Sequence, residues 1–155
     1  MNVLNVSAAL KGGLEYSIPL DYDLINETEF AQKAENYYNL AISNSNGKMN
    51  SDVTNALILY SVLCNKKPDN IDYALKTGNL YMLIGKNRYA KGYFYQAMGI
   101  DVSKPDSYFY LGELFYKQEQ YRKALKMYEK AKERGCINPL NTQRINRIKL
   151  MLSEK

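Results

Sequence analysis

Apolar and polar positions follow two different periods along this chain. From Leu14 to Leu24 they alternate, with Leu14, Tyr16, Ile18, Leu20, Tyr22 and Leu24 on one edge. Period two is the mark of an extended segment with one apolar side. Pro19 has no N–H to give a central ladder, so an edge position is expected. A lone strand is not stable in water. The segment is therefore expected to pack on the helical body, to lie in the chain's own groove, or to dock into a partner. Gly12 and Gly13 would let the residues before them swing separately.

Farther on the period becomes helical. Ala90, Phe94 and Ala97 fall at i, i+4 and i+7, on one helix face, and Ala124, Tyr128 and Ala131 repeat that face. The spacing predicts helices over 71–84, 87–100, 105–118, 121–134 and 139–153. Gly85 suits a left-handed helix end, and Gly135 ends a helix in the same way. Ser103 ahead of Pro105 and Asp106 reads as an N-cap with an acidic first turn. Asn138 before Pro139 reads as another helix start.

Residues 71–104 shifted by 34 fall on residues 105–138. Gly78 meets Gly112, Tyr81 meets Phe115, Ala90 meets Ala124, Phe94 meets Tyr128 and Ala97 meets Ala131. Small residues stand where helices must approach closely, and large ones fill the space between. A period of 34 with this order of Gly, aromatic, Ala, aromatic, Ala resembles the tetratricopeptide repeat, a helix, tight turn and antiparallel helix. A degenerate repeat lies upstream. Ala56, Tyr60, Leu63 and Pro68 keep the spacing of a second helix, while Tyr37, Leu40 and Ala41 fit a first helix if three residues are added to the turn. The polar stretch Ser43–Asn50 supplies them, with Asn50, Ser51 or Asp52 as the cap. The sequence departs from the family pattern at Ala74, where Tyr108 stands in the next repeat. It departs again at Val102 and Cys136, in place of the closing proline.

The resemblance implies an all-α fold, a right-handed α-α superhelix of antiparallel helix pairs with about three repeats. The expected organisation is an extended arm at 1–26, a repeat domain at 27–138 (27–70 irregular, then 71–104 and 105–138) and a capping helix at 139–155. Within the last, Ile145, Ile148 and Leu152 form one stripe with Met151 beside it, and Arg144, Arg147 and Lys149 face elsewhere. A repeat stack needs such an end with one polar face.

In the family, the first helices line a concave groove that receives a peptide or a helix. Its positions are the second, fifth, ninth and twelfth of each repeat. They fall on Asp72, Leu75, Asn79 and Met82, and on Asp106, Phe109, Glu113 and Tyr116 with Lys117 adjacent. In the irregular repeat they fall on Glu35, Tyr38 and Ile42. The expected partner-binding residues are Tyr38, Leu75, Asn79, Met82, Phe109, Glu113 and Tyr116, large apolar anchors inside an acidic rim. Asn79 can hydrogen-bond a peptide backbone. Some of these side chains serve the core instead if the neighbouring repeat or the arm fills the groove. Some family members grip a C-terminal carboxylate with Lys, Asn and Arg. Here Asn79 and Lys76 suit that clamp, but Asp106 and Tyr110 stand where bases are needed.

Composition narrows the function. The 155 residues hold no His, so a Ser-His or Cys-His pair cannot be built. No phosphate-binding glycine loop, GxGxxG or metal-spaced cysteine set occurs. No enzyme activity, catalytic residue, metal or cofactor is expected. Cys64 and Cys136 have no CxxC spacing and read as buried reduced thiols. No run approaches a membrane span, and the start of the chain does not read as a secretory leader, so a cytoplasmic protein is expected. Charge is uneven: residues 1–116 carry 10 Lys/Arg against 12 Asp/Glu, residues 117–155 carry 11 against 4. The leading reading is a protein-interaction module, an adaptor, assembly factor or small chaperone that holds a peptide or helix of another protein. A second is a single-stranded nucleic-acid binder using the basic C-terminal third. The groove acids argue against it, because they sit where phosphates would run. A third is a self-associating structural component, with the arm exchanged between copies.

Overall fold

The computed structural model describes residues 2–5, 17–20, 26–44 and 46–154. Two short strands, β1 (Asn2–Asn5) and β2 (Ser17–Leu20), pair antiparallel with Val3 opposite Pro19 and Leu4 opposite Ile18. The extended reading thus holds over 17–20, and the partner of that strand is the chain's own start, which the three options above did not include. Pro19 is accommodated because a two-stranded sheet consists of edges. Leu14, Tyr16, Tyr22, Leu24 and the Gly12–Gly13 pair lie outside the described residues.

Seven helices follow among the described residues: α1 (Glu27–Asn44), α2 (Ser51–Lys66), α3 (Ile71–Leu83), α4 (Asn87–Ile100), α5 (Pro105–Lys117), α6 (Tyr121–Glu133) and α7 (Pro139–Ser153). They pair as α1/α2, α3/α4 and α5/α6, with α7 against α6. The first helices also touch one another, α1 with α3 and α3 with α5, and so form the inner layer of an all-α repeat superhelix.

Asparagine side chains start four of the helices. Asn26, Asn50, Asn70 and Asn138 accept from the N–H groups of Glu29, Val53, Tyr73 and Leu140 at 3.2, 2.9, 3.2 and 3.0 Å. Ser103 is not a cap. Lys104 holds the position before α5 without a side-chain bond, and Ser103 turns back to Asp101, whose carboxylate accepts from its N–H and hydroxyl at 2.9 and 2.6 Å. Gly85 and Gly135 adopt φ of +73° and +83°. The residue 34 positions after Gly85 is Glu119, which holds φ +58° without glycine's freedom. Cys64 is buried, whereas Cys136 is only partly so, which corrects the expectation of two buried thiols.

Within the second and third pairs the helices meet at a glycine facing a ring. A Cβ on Gly78 would stand 2.5 Å from Phe94 Cε1, and one on Gly112 would stand 2.6 Å from Tyr128 Cδ1. Both rings are fully buried.

Polar triads then join one pair to the next. Tyr128 of α6 donates to Glu113 of α5 at 2.5 Å, and Arg144 of α7 donates to the same carboxylate at 3.0 and 3.3 Å while stacking 4.1 Å over Tyr116. The first pair repeats this. Tyr60 donates to Glu35 at 2.8 Å, Lys76 of α3 bonds the same oxygen, and its ammonium lies 5.2 Å over Tyr38. Acid and tyrosine are 15 residues apart in the third pair and 25 in the first. The irregular repeat therefore carries ten extra residues, not three. Its register begins at Glu27, so Glu35 takes the ninth position and Tyr38 the twelfth. Ile42 lies one turn beyond the twelfth position and is exposed near the end of a helix prolonged beyond its counterparts.

Three substitutions measure the packing. Gly112→Ala is expected to cost about 1–3 kcal/mol in urea unfolding, because Tyr128 is bonded to Glu113 and cannot swing aside. Gly92→Ala, with nothing within 4 Å of the added carbon, should instead gain up to about 1 kcal/mol. Glu119→Gly should gain about 1 kcal/mol by relieving the left-handed residue.

The Glu35 carboxyl is held below its ordinary value of 4.5: burial pushes it up, but hydrogen bonds from Lys76 and Tyr60 and the Lys76 charge outweigh that. A depressed carboxyl stabilises the fold fully above pH 4.5 and loses that contribution as the pH falls through its folded value. Glu35→Gln should therefore lower Tm at pH 7 and approach wild type below pH 4. The loss should be only about 1 kcal/mol, since the pair is partly in solvent. A Tm gap independent of pH would contradict the triad's role.

Candidate functional site

The inner layer brings the ninth and twelfth positions of the three pairs into one row: Glu35 and Tyr38, Asn79 and Met82, Glu113 and Tyr116. Tyr38, Met82, Glu113 and Tyr116 are partly exposed there, while Asp72, Asp106 and Lys117 stand exposed at its edge. Leu75 and Phe109 lie deeper, at 6% and 7% exposure, within the apolar core. Phe109 packs against the rings of Tyr110 and Tyr128 at 5.4 and 6.2 Å. As they stand, these two expected anchors support the inner face from behind.

Charge on this face is already spent. Lys76 is bound by Glu35, and Arg144 by Glu113. The Arg144 guanidinium is raised further above its usual range, first by its hydrogen bond to Glu113. Burial, followed by the neighbouring carboxylate, pushes the Tyr60 and Tyr128 hydroxyls far up, so both remain donors. Arg144, read from the sequence as facing elsewhere, in fact points inward and completes the third triad.

The middle pair lacks that arrangement. Asn79 stands in place of the acid, Phe94 in place of the tyrosine and Tyr110 in place of the base. Tyr110 stacks on Phe94 with centroids 5.6 Å apart and planes at 14°. Asn79 is 8% exposed, donates to the Tyr38 hydroxyl at 3.3 Å, and among the described residues has no partner for its own buried carbonyl oxygen. The Tyr38 hydroxyl is raised by burial and by the nearby Tyr110 and Glu35 groups, against the Asn79 hydrogen bond that lowers it. The centre of the inner face is thus neutral and aromatic. Flanking it are two neutralised ion pairs. Lys76, Tyr110 and Arg144 were not among the expected binding residues. Their common spacing, 16 residues after Tyr60, Phe94 and Tyr128, is the signal that finds them.

Among the described residues no group of three His, Cys, Asp or Glu side chains is placed to hold a metal, and no helix is long and apolar enough to cross a membrane.

No protein-family model matches the sequence, and no curated protein does. Solved structures match over most of the chain. The first tetratricopeptide domain of Spaghetti (RPAP3), bound to the HSP90 peptide SRMEEVD, is 17% identical with a TM-score of 0.69, covering 82% of this chain and 93% of that one. The Sgt2 tetratricopeptide domain from Aspergillus fumigatus is 18% identical with a TM-score of 0.68, covering 88% and 86%. The Yersinia enterocolitica type III secretion chaperone SycD, in complex with a peptide of the translocator YopD, is 16% identical with a TM-score of 0.65, covering 80% and 95%. At these identities the likeness is one of architecture, and it agrees with the repeat built above: the chain has the tetratricopeptide-repeat fold.

Proposed function

We propose that this chain is a protein-interaction module, an adaptor or small chaperone. In this reading the repeat domain, 27–138, holds a peptide or helix of another protein on its inner face, within the cytoplasm. The observation that carries the reading is the uncharged centre of that face, where the partly exposed Tyr38, Met82 and Tyr116 share one row with the neutralised pairs Glu35–Lys76 and Glu113–Arg144. Aromatic and methionine side chains supply the apolar contact that dominates interface cores. Two of the structurally similar domains are themselves bound to peptides. The contacts proposed for the ligand are Tyr38, Met82 and Tyr116, with Leu75, Asn79, Phe109 and Glu113 holding them in place.

The same face disfavours an acidic chain end as ligand. Lys76 is neutralised by Glu35, Arg144 by Glu113, and the exposed carboxylates of Asp72 and Asp106 border the groove. An uncharged or basic segment with apolar side chains fits better.

Leu75→Glu or Phe109→Glu is a poor test, because a charge buried in the core unfolds the domain. Met82→Glu with Tyr116→Ala is preferable, alongside Val102→Glu on an exposed side chain as control. Affinity capture from nuclease-treated native extract, at low and high salt, should recover one protein on the wild type and on the control. The groove variant should lose it at least about tenfold while keeping its helical circular dichroism. Equal recovery on all three would place the binding surface elsewhere.

A further inference from the structure

The opposite surface has a chemistry that the groove does not use. Lys91 of α4 lies 5.6 Å from the centre of the Phe115 ring, and Lys123 of α6 lies 5.8 Å from the same centre. Two ammonium groups from successive repeats thus converge on one ring, within about 11 Å of each other. Neither has an ion-pair partner among the described residues. Along α6 the row continues with Arg122 and Lys126, both exposed, and the half-buried Lys130, also without carboxylate partners among the described residues. Arg122, Lys126 and Lys130 stand at i, i+4 and i+8, a line rising about 6 Å per step. The acids of α6 are used elsewhere. Glu129 is bound by Lys149 at 2.9 Å, and Glu133 lies 4.0 Å from Arg134. Glu119 borders the row at its start.

Like charges gathered without counter-charge repel one another, and a polyanion relieves that repulsion. The choice of polyanion follows from Tyr95. This ring is 46% exposed, and the Lys91 ammonium lies 5.9 Å from its centre. An exposed aromatic face beside a line of cations is the arrangement on which single-stranded bases stack while their phosphates follow the charges. An acidic peptide has no use for the ring. We infer that the outer surface of α4 and α6, through Tyr95 and the cations Lys91, Arg122, Lys123, Lys126 and Lys130, binds single-stranded nucleic acid. This surface is separate from the groove, so it stands or falls independently of the peptide reading. It also moves the basic site off α7, where Arg144 and Lys149 are already paired.

Fluorescence anisotropy of a labelled mixed-sequence RNA of about 20 nucleotides, titrated with the full chain across a salt series, tests this. Five cations on a single strand predict a slope of log K against log salt of about −3.5. Lys123→Gln with Lys126→Gln should reduce that slope by about 1.4. Tyr95→Ala should weaken binding at least about fivefold with the slope unchanged, which a purely ionic contact would not do. Met82→Glu in the groove should leave RNA binding intact. Absence of binding at about 50 mM salt would overturn the inference. So would a slope unaffected by the lysine substitutions, or a Tyr95→Ala variant that binds as wild type. A polyglutamate peptide competing as well as RNA would also overturn it, and would reassign the strip to an acidic protein partner.

Discussion

Everything in this structure depends on how closely the two helices of a pair approach. Gly78 faces Phe94 and Gly112 faces Tyr128 at distances that leave no room for a methyl group. That approach sinks the ring into its partner helix, and in the third pair it carries the Tyr128 hydroxyl through to the inner face, which Tyr60 also reaches in the first pair. There the hydroxyl finds Glu35 or Glu113, and the acid in turn draws in the base from the next pair. Packing within a repeat and electrostatic linkage between repeats are consequently one arrangement. Widening the helix pair would withdraw the tyrosine, and the carboxylate would lose the donor that helps to orient it.

The regular part of this design is legible in the sequence, because its determinants are local and recur at a fixed period. Glycine, alanine and aromatic positions 34 apart locate α3 to α6 to within a residue at each end. The irregular pair is less legible, and the reason is physical. Tyr37, Leu40 and Ala41 of α1 form an apolar stripe of the right period, which satisfies the repeat pattern with three added residues. The true register is fixed by long-range contacts, Glu35 with Tyr60 and Lys76 with Tyr38, which no local period encodes. Because α1 is prolonged, part of its apolar pattern, including Leu40 and Ile42, falls on exposed turns. Ser103 misled for a related reason. A serine near a helix start can bond either the helix or its own neighbour, and Asp101 competes successfully for it.

The candidate site was legible in direction but not in depth. Counting positions selects the inner face, and Tyr38, Met82, Glu113 and Tyr116 remain partly exposed on it. The same counting cannot separate a side chain that lines the face from one that supports it. Leu75 and Phe109 belong to the apolar core, Phe109 against the Tyr110 and Tyr128 rings, whereas Met82 and Tyr116 stay partly exposed. Nor can a period reveal that Lys76 and Arg144 are already neutralised, since each meets its acid across a gap of 31 residues or more.

The middle pair shows what the triads imply for binding. A repeat protein holds together by satisfying each interface with its neighbours, and the first and third pairs do so with an acid, a tyrosine and a base. The middle pair replaces all three at once. Phe94 supplies no hydroxyl, Tyr110 supplies no cation but stacks on Phe94, and Asn79 removes the charge that would have needed them. The exchange is coherent, because a glutamate left there without donors would be a buried unpaired charge. The inner face therefore has ends fixed by neutralised ion pairs and a neutral, aromatic centre. The flanking triads hold the helices in register there without placing a charge at the centre.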